Sequence, residues 1–253
     1  MTARTAAAIV SFAAGLGLVG CSSFYEIAVE TPIQAKIDVS AFQRVLVAGF
    51  LTGGAKAIDA NTETARLLRS QLRSKQDMRV IDTDVLSLVD EVDRQKGQTP
   101  QTSAIDAEPK IKTDKDLAAY EDIFNNAEYW KKIGAEYQSP LIVTGSVMFT
   151  EVSKSGVVSR PQSVPSEQGL EEYRSVRTYT DMKGYALAPK FVFIDGRTGA
   201  QLYSETYHEE ALYPSTQNTP ALSSYFELMD KVLPSFLNTL SSQKIRGSRV
   251  LLK

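Results

Sequence analysis

The sequence predicts an α/β fold, a single mixed-sheet sandwich with flanking helices that follows a cleaved leader and a short linker. Three observations predict it. Runs such as 44–50 and 141–147 are short, continuously apolar and rich in β-branched residues, the pattern of strands covered on both faces. Between them lie stretches with apolar residues at helical spacing, at 62–75, 84–92, 114–137 and 219–240. An Asp-Gly pair at 195–196, between two patterned segments, marks a hairpin. Strand, helix, strand, helix, helix, strand, hairpin, helix is the order of one mixed α/β domain.

The first residues, Met-Thr-Ala-Arg, are followed by an uncharged apolar run from Thr5 to Gly20, the layout of an export leader. The run is shorter than the roughly 20 residues that span a hydrocarbon core. Leu18-Val19-Gly20-Cys21 resembles the lipobox that bacterial lipoprotein signal peptidase cuts before its cysteine, and Cys21 is the only cysteine in the chain. The resemblance implies residues 1–20 as a signal peptide and Cys21 as the lipidation site. The alternatives are a plain secretory leader with a cysteine near its cut, or an anchor that stays attached. Ser22 after the cysteine is an outer-membrane address by the proteobacterial sorting rule.

Removal of residues 1–20 takes away Arg4 and leaves 27 Lys plus Arg against 30 Asp plus Glu, so no nucleic-acid partner is suggested. With Cys21 acylated no intramolecular disulfide is available, and a chain of this length can bury enough surface to fold on packing alone.

Residues 21–41, with Pro32 and no sustained period, read as lipid anchor and linker, with room for a short strand at the end, and 42–253 as the periplasmic domain. Arg44-Val-Leu-Val-Ala-Gly-Phe50, closed by a Gly-rich turn, is the first core strand. A helix over 62–75 follows the N-cap candidates Asp59 and Asn61, with Ala65, Leu68 and Leu72 on one stripe. Residues 78–83 predict a second strand, and Asp84 a cap for a helix carrying Val85, Leu88, Val89 and Val92. The stretch 93–113 is a polar excursion. Residues 114–137 predict one long helix with Leu117, Tyr120, Phe124 and Ala127 on a stripe that Ile123, Trp130 and Ile133 widen. The next strand starts at Leu141, becomes alternating, and gives way to a second loop at 153–173 marked by Pro161, Pro165, Gly156 and Gly169. Residues 176–194, the turn 195–199 and the return 200–207 form the hairpin, and Thr219 caps a last helix with Pro220 at its first position and Pro234 as a kink or restart.

Three of these segments resemble a family of periplasmic lipoproteins and domains that includes CsgG, LpoB and the amino-terminal domain of TolB. They are residues 44–50 with the helix behind them, the helix-end and strand 132–147 that finishes in Val-x-Gly, and the hairpin 191–200. The resemblance implies a bacterial outer-membrane lipoprotein with a domain of that type. The curli channel of the family inserts hairpins into the membrane, which needs alternating apolar segments of about 9–11 residues. The excursions 93–113 and 153–173 are too polar for that, which points to a relative that forms no pore.

Catalytic and metal chemistry find little support. His208 is the only histidine, so multi-histidine metal sites are excluded and a Ser-His-Asp set would have to use it. Glu171-Glu172 and Glu209-Glu210 diverge on a strand, and no phosphate-binding glycine frame or cofactor motif is present. Arg66, Arg69 and Arg73 share a predicted helix face, either a candidate anion contact or a wet face near a helix C-terminus. Tyr173, Tyr179, Tyr185, Tyr203, Tyr207 and Tyr213, with Tyr225 beyond them, crowd the second half as candidate partner contacts, although strands favour tyrosine anyway. The reading is a non-catalytic, lipid-anchored, periplasm-facing adaptor of the outer membrane with an envelope protein partner and no cofactor. The alternative is an oligomeric subunit of a secretion or export assembly.

Overall fold

The computed structural model describes residues 24–75, 78–97, 110–165, 171–241 and 243–252. The leader and Cys21 lie outside them, as do 98–109 and 166–170 within the two expected loops.

The chain divides into two units, residues 35–241 and a smaller one formed from both ends. In the larger unit the strands are β2 (Arg44–Gly54), β3 (Arg79–Val80), β4 (Leu141–Pro165), β5 (Glu171–Asp195), β6 (Gln201–Thr206) and β7 (Glu209–Pro214). They form a six-stranded sheet in the order β3-β2-β4-β5-β6, with β7 also on β5. β2 runs parallel to β3 and β4, and β5 is antiparallel to β4, β6 and β7, so the sheet is mixed as expected. Helices α1 (Ala60–Lys75) and α5 (Ala221–Leu240) cover one face, with Leu68, Leu72, Tyr225 and Phe236 packed on Val47, Val143, Phe191 and Phe193. Helices α2 (Leu88–Gln95), α3 (Asp114–Ala118) and α4 (Ala127–Glu136) cover the other, where Leu88, Leu117 and Trp130 meet Leu46, Ile142, Val192 and Ile194. Burial on both faces is why β2 and the start of β4 read as unbroken apolar runs.

Gly145 of the Val-x-Gly segment sits at φ 149°, and a Cβ there would lie 1.8 Å from the Lys190 carbonyl oxygen. The motif therefore marks where β4 and β5 come too close for a side chain.

Several expectations are corrected. The strand at 78–83 shrinks to Arg79–Val80, and the helix expected from Asp84 starts at Leu88. The Leu86 N–H donates to the Ala48 carbonyl at 2.8 Å and its own carbonyl accepts from Asn61 Nδ2 at 3.1 Å, which keeps the segment extended. The long helix at 114–137 is broken into α3, a 3-10 turn over Glu121–Asn125, and α4. Asn126 restarts it, its side-chain oxygen accepting the Tyr129 N–H at 3.1 Å, while Trp130 Nε1 donates to the Ile123 carbonyl at 2.8 Å. Pro220 is the N-cap of α5 rather than its first helical residue, so Thr219 stands one place before the cap. The helix runs unbroken through Pro234. The carbonyl that Pro234 leaves without a donor belongs to Asp230, an exposed residue, so water can satisfy it.

Inside the α2–α3 side, Asp93 is buried, ion-paired to Lys110 and within 3.3 Å of the Tyr120 hydroxyl. That pair joins the two ends of the polar excursion.

The smaller unit is a two-stranded antiparallel ribbon, β1 (Phe24–Ile33) on β8 (Gln243–Leu252). Strand β1 falls within the expected linker and β8 within the expected domain. Their pairing spans most of the chain, which local pattern does not report.

Candidate partner-binding surface

The largest departure from expectation lies at 153–173. β4 and β5 stay paired in one unbroken register from Leu141–Asp195 out to Pro165–Glu171. β2 leaves β4 after Phe149, and β7 leaves β5 after Met182 with one further bond, Ser215 N–H to the Asp181 carbonyl. Beyond those points the two strands have only each other, and they form an arm roughly 36 Å long at about 3.3 Å per residue. Gly156, Pro161 and Pro165 read as loop signals, yet a two-stranded arm tolerates them because each strand has a free edge that needs no donor.

Alternation places side chains on the arm. Val143, Val147, Phe149, Leu187, Phe191 and Phe193, all odd-numbered, face α1 and α5. Counting outward in the same register brings Tyr185, Tyr179 and Tyr173 to that side, with Val157 directly across from Tyr179. Tyr173 is 74% exposed, Tyr179 67% and Val157 65%, among the most exposed large side chains described. The opposite side carries Lys154, Gly156, Val158, Thr178, Thr180 and Met182. Neither side holds the continuous apolar row that lipid tails require.

At the foot of the arm is a cleft of about 450 Å³ lined by Glu151, Ser153, Lys183, Tyr185, Tyr213 and the segment 217–219 that leads into α5. Gly184 admits β7 to this foot, since a Cβ there would lie 1.9 Å from the Ala211 carbonyl oxygen. Tyr185 stacks on Phe149 at 4.8 Å between centroids, and the Tyr213 hydroxyl donates to Glu227. That bond raises the Tyr213 hydroxyl pKa and holds the Glu227 carboxyl below its usual range. The Thr219 hydroxyl is buried in the cleft wall without a protein partner.

The six candidate tyrosines therefore fall on one side of the sheet in three settings. Tyr173 and Tyr179 stand free on the arm, and Tyr185 and Tyr213 wall the cleft. Tyr203 and Tyr207 pack on Phe193 and Phe191 at the far end of β5. Tyr207, its pKa raised by burial and then by Glu205, donates to that carboxylate at 2.7 Å. Tyr225 is a core residue, fully buried with its hydroxyl on Thr64.

Glu205 is also bonded to Lys36 Nζ at 2.5 Å. Burial pushes its pKa up, but the bonds from Lys36 and Tyr207 outweigh that and hold it below the ordinary 4.5. A lowered folded pKa means its contribution to stability is present above about pH 4.5 and is lost as pH falls through the folded value. Glu205→Gln is expected to flatten the acid limb of a plot of melting temperature against pH below that point, leaving the slope from pH 5 to 7 unchanged.

The three arginines separate likewise. Arg66 is exposed, and Arg73 pairs with Asp82. Arg69 turns inward and donates to the carbonyls of Thr83 at 2.7 Å and Val47 at 2.8 Å, so its guanidinium ties β2 to the segment before α2. Burial lowers its pKa. Arg69→Ala is expected to cost about 2 kcal/mol, because it strands two carbonyls, whereas Arg66→Ala stays within about 0.5 kcal/mol in urea unfolding.

His208 is exposed, beside Lys112, Thr113 and Asp114 in a smaller hollow of about 260 Å³. Among the described residues no group of three or more His, Cys, Asp or Glu is placed to hold a metal ion, and no helix is long and apolar enough to cross a membrane. Lys183, Glu151 and 217–219 were not singled out from the sequence. Their side chains are ordinary surface types, and only the fold brings them together.

No family model matches the chain, and no curated protein matches it. Among solved structures the chain is similar to a PelC dodecamer from Paraburkholderia phytofirmans, at 12% identity and a TM-score of 0.37 over 86% of this chain and 99% of that one. It is similar to the lipoprotein GNA1162 from Neisseria meningitidis, at 13% and 0.34 over 77% and 98%. It is also similar to the LpoB C-terminal domain from Escherichia coli, at 10% and 0.28 over 69% and 88%. The α/β architecture, a mixed sheet with helices on both faces, stands on the chain's own strand pairing.

Proposed function

We propose that this chain is a lipid-anchored, non-catalytic adaptor of the bacterial outer membrane that faces the periplasm and holds an envelope protein partner through the β4–β5 arm. One observation carries the reading. A two-stranded ribbon is marginal in water unless something packs on it, yet here the arm exposes Tyr173, Tyr179 and Val157 on one side. Tyrosine suits such a surface, with a large apolar face, a polar tip and little rotamer entropy to lose. The cleft at the arm's foot extends the same side. Acylation at Cys21 supplies the tether, and a linked domain meets a membrane-bound partner at high effective concentration. No nucleic acid enters this reading, since the charge balance is slightly acidic.

The test is in situ crosslinking of whole cells, followed by recovery of the chain from solubilised envelopes. Wild type is expected to bring down a specific partner. Cys21→Ala is expected to leave the membrane fraction, and Tyr173→Ser with Tyr179→Ser to stay in it while losing the partner. Recovery of no specific protein, with Cys21→Ala fractionating as wild type, would sink the proposal.

The free outer edges of β4 beyond Phe149 and of β5 beyond Asp181 favour a second reading, in which arms of several copies pair edge to edge in an export assembly. A single fixed high stoichiometry in native mass spectrometry of the detergent-solubilised protein would select it.

A further inference from the structure

We infer that the arm takes its partner by strand addition: an extended segment of about seven residues, carrying an acidic side chain, pairs with the outer edge of β5 over 173–179 and not with the outer edge of β4. This rests on the arm as the partner surface, proposed above, and names the backbone that does the binding. Successive residues of a paired strand turn their N–H and C=O groups to alternate edges. The bonds that leave the β4–β5 ladder fix which residues face which edge. On β4 the Phe149 carbonyl accepts the Ala55 N–H at 2.6 Å, on the β2 side. On β5 the Asp181 carbonyl accepts the Ser215 N–H at 2.9 Å and the Pro189 carbonyl the Tyr207 N–H at 2.9 Å, on the side of β6 and β7. All three accepting residues are odd-numbered, and the β4–β5 register holds without a shift out to Pro165 and Glu171. The odd residues of both strands therefore turn their backbone groups away from the ladder along the whole arm.

The two edges differ in chemistry. β5 presents the outward N–H and C=O groups of Tyr173, Ser175, Arg177 and Tyr179, and among the described residues none is their backbone partner. β4 has Pro161 and Pro165 at its outward positions, and neither brings an N–H, so a strand laid there meets two gaps in its ladder. The line that β7 follows along β5 stops at Ser215, opposite Asp181, and an added strand continues it. Opposite residues of an antiparallel pair share a face, which sets the added segment beside the exposed rings of Tyr173 and Tyr179. Charge selects the occupant. Arg177 is exposed, and among the described residues no carboxylate is paired with it. Pairing this edge with that of a second copy over 173–179 sets Ser175 opposite Arg177 and brings the two guanidiniums diagonally across at about 7–8 Å, like charges that repel. An acidic residue opposite Arg177 turns the same position into an attraction.

Ser159 and Ser175 provide a matched pair of variants. Both are exposed, their hydroxyls are bonded to each other at 2.6 Å, and both hold outward positions, Ser159 on β4 and Ser175 on β5. Proline at either breaks that hydroxyl bond and leaves the β4–β5 ladder its donors, but only Ser175→Pro takes an N–H from the proposed edge. In whole-cell crosslinking with recovery from solubilised envelopes, Ser175→Pro is expected to lower partner capture at least about tenfold and Ser159→Pro to hold it within about twofold. Arg177→Glu is expected to lower capture about tenfold, and Arg177→Lys to keep it within about threefold. Hydrogen exchange on the recovered complex is expected to slow at the amides of 173–179 and to leave those of 155–163 as in the free chain. Equal capture by the two proline variants, or exchange over 173–179 that the partner leaves unchanged, overturns strand addition. Capture undiminished by Arg177→Glu overturns the acidic segment, and recovery of crosslinked copies of this chain alone overturns the separate partner. A wild type that recovers nothing overturns the arm as partner surface together with this inference. Capture lost in the Tyr173→Ser, Tyr179→Ser double variant but equal in the two proline variants overturns the inference alone.

Discussion

Trp130→Ala lowers stability by about 3–5 kcal/mol, the range for truncating a large buried aromatic. Trp130 is fully buried on α4, where Ile123, Phe124, Ile142 and Val192 belong to the same cluster. Its indole N–H closes on the Ile123 carbonyl at 2.8 Å, and its ring meets Tyr129 edge-on at 5.0 Å. Truncation therefore opens a cavity and takes the indole donor from the Ile123 carbonyl, which keeps only the Asn126 N–H at 3.1 Å. For a domain of this size each kcal/mol is worth about 2–4 °C, so a shift near 10 °C is expected in far-ultraviolet circular dichroism. Trp130→Phe keeps most of the volume and loses only the donor, so it should fall about halfway. Trp130 is also the only tryptophan, and its burial predicts a blue-shifted emission that moves red in a single transition with denaturant. A wild-type emission maximum like that of free indole in water would contradict the placement of α4.

Cutting the arm back is expected to do the opposite, removing function while sparing the fold. Ser155 and Asp181 face each other in the β4–β5 register, so residues 156–180 can be replaced by an Asn-Gly turn without moving either strand's foot. Among the removed residues whose side chains are described, all but Val176 and Thr180 are exposed, surface positions that cost little to change. Lys154 and its pair with Glu210 remain, as does the cleft around Tyr185 and Tyr213. The melting temperature should stay within about 3 °C of wild type. Capture of the crosslinked partner should fall by about tenfold or more, the scale expected when a contact surface loses its aromatic anchors. An arm-less chain that captures the partner as well as wild type would move the binding surface elsewhere on the molecule.

The parts legible in the sequence are those whose signal is local. The run 44–50, the stripe of Ala65, Leu68 and Leu72, and the Asp-Gly turn each carry their information within one element, and each appears where periodicity placed it. Asp195 builds that turn, its carboxylate accepting the Arg197 N–H at 2.8 Å and its carbonyl the Gly199 N–H at 2.8 Å. The break at Asn126 was less visible, because Tyr120, Phe124 and Ala127 keep a helical spacing across it. A capping asparagine shows itself only once its side chain is seen on the Tyr129 amide.

The arm and the terminal ribbon were out of reach for a different reason. Pro161, Pro165 and Gly156 weaken a strand inside a sheet, and whether they sit inside one depends on neighbours that sequence order does not name. Likewise Phe24 and Leu252 are partners across almost the whole chain, and Glu151, Lys183 and Thr219 line one cleft from three separate segments. From the sequence alone came the alternation of strands and helices, the burial of the central strands on both faces, and the resemblance to a lipobox that ends at Cys21. Tertiary structure alone decided which strands stand together, how far β4 and β5 continue past the sheet, and which tyrosines remain exposed. Periodicity states which side of an element is apolar, whereas pairing is a choice among distant segments settled by the packing of the whole core.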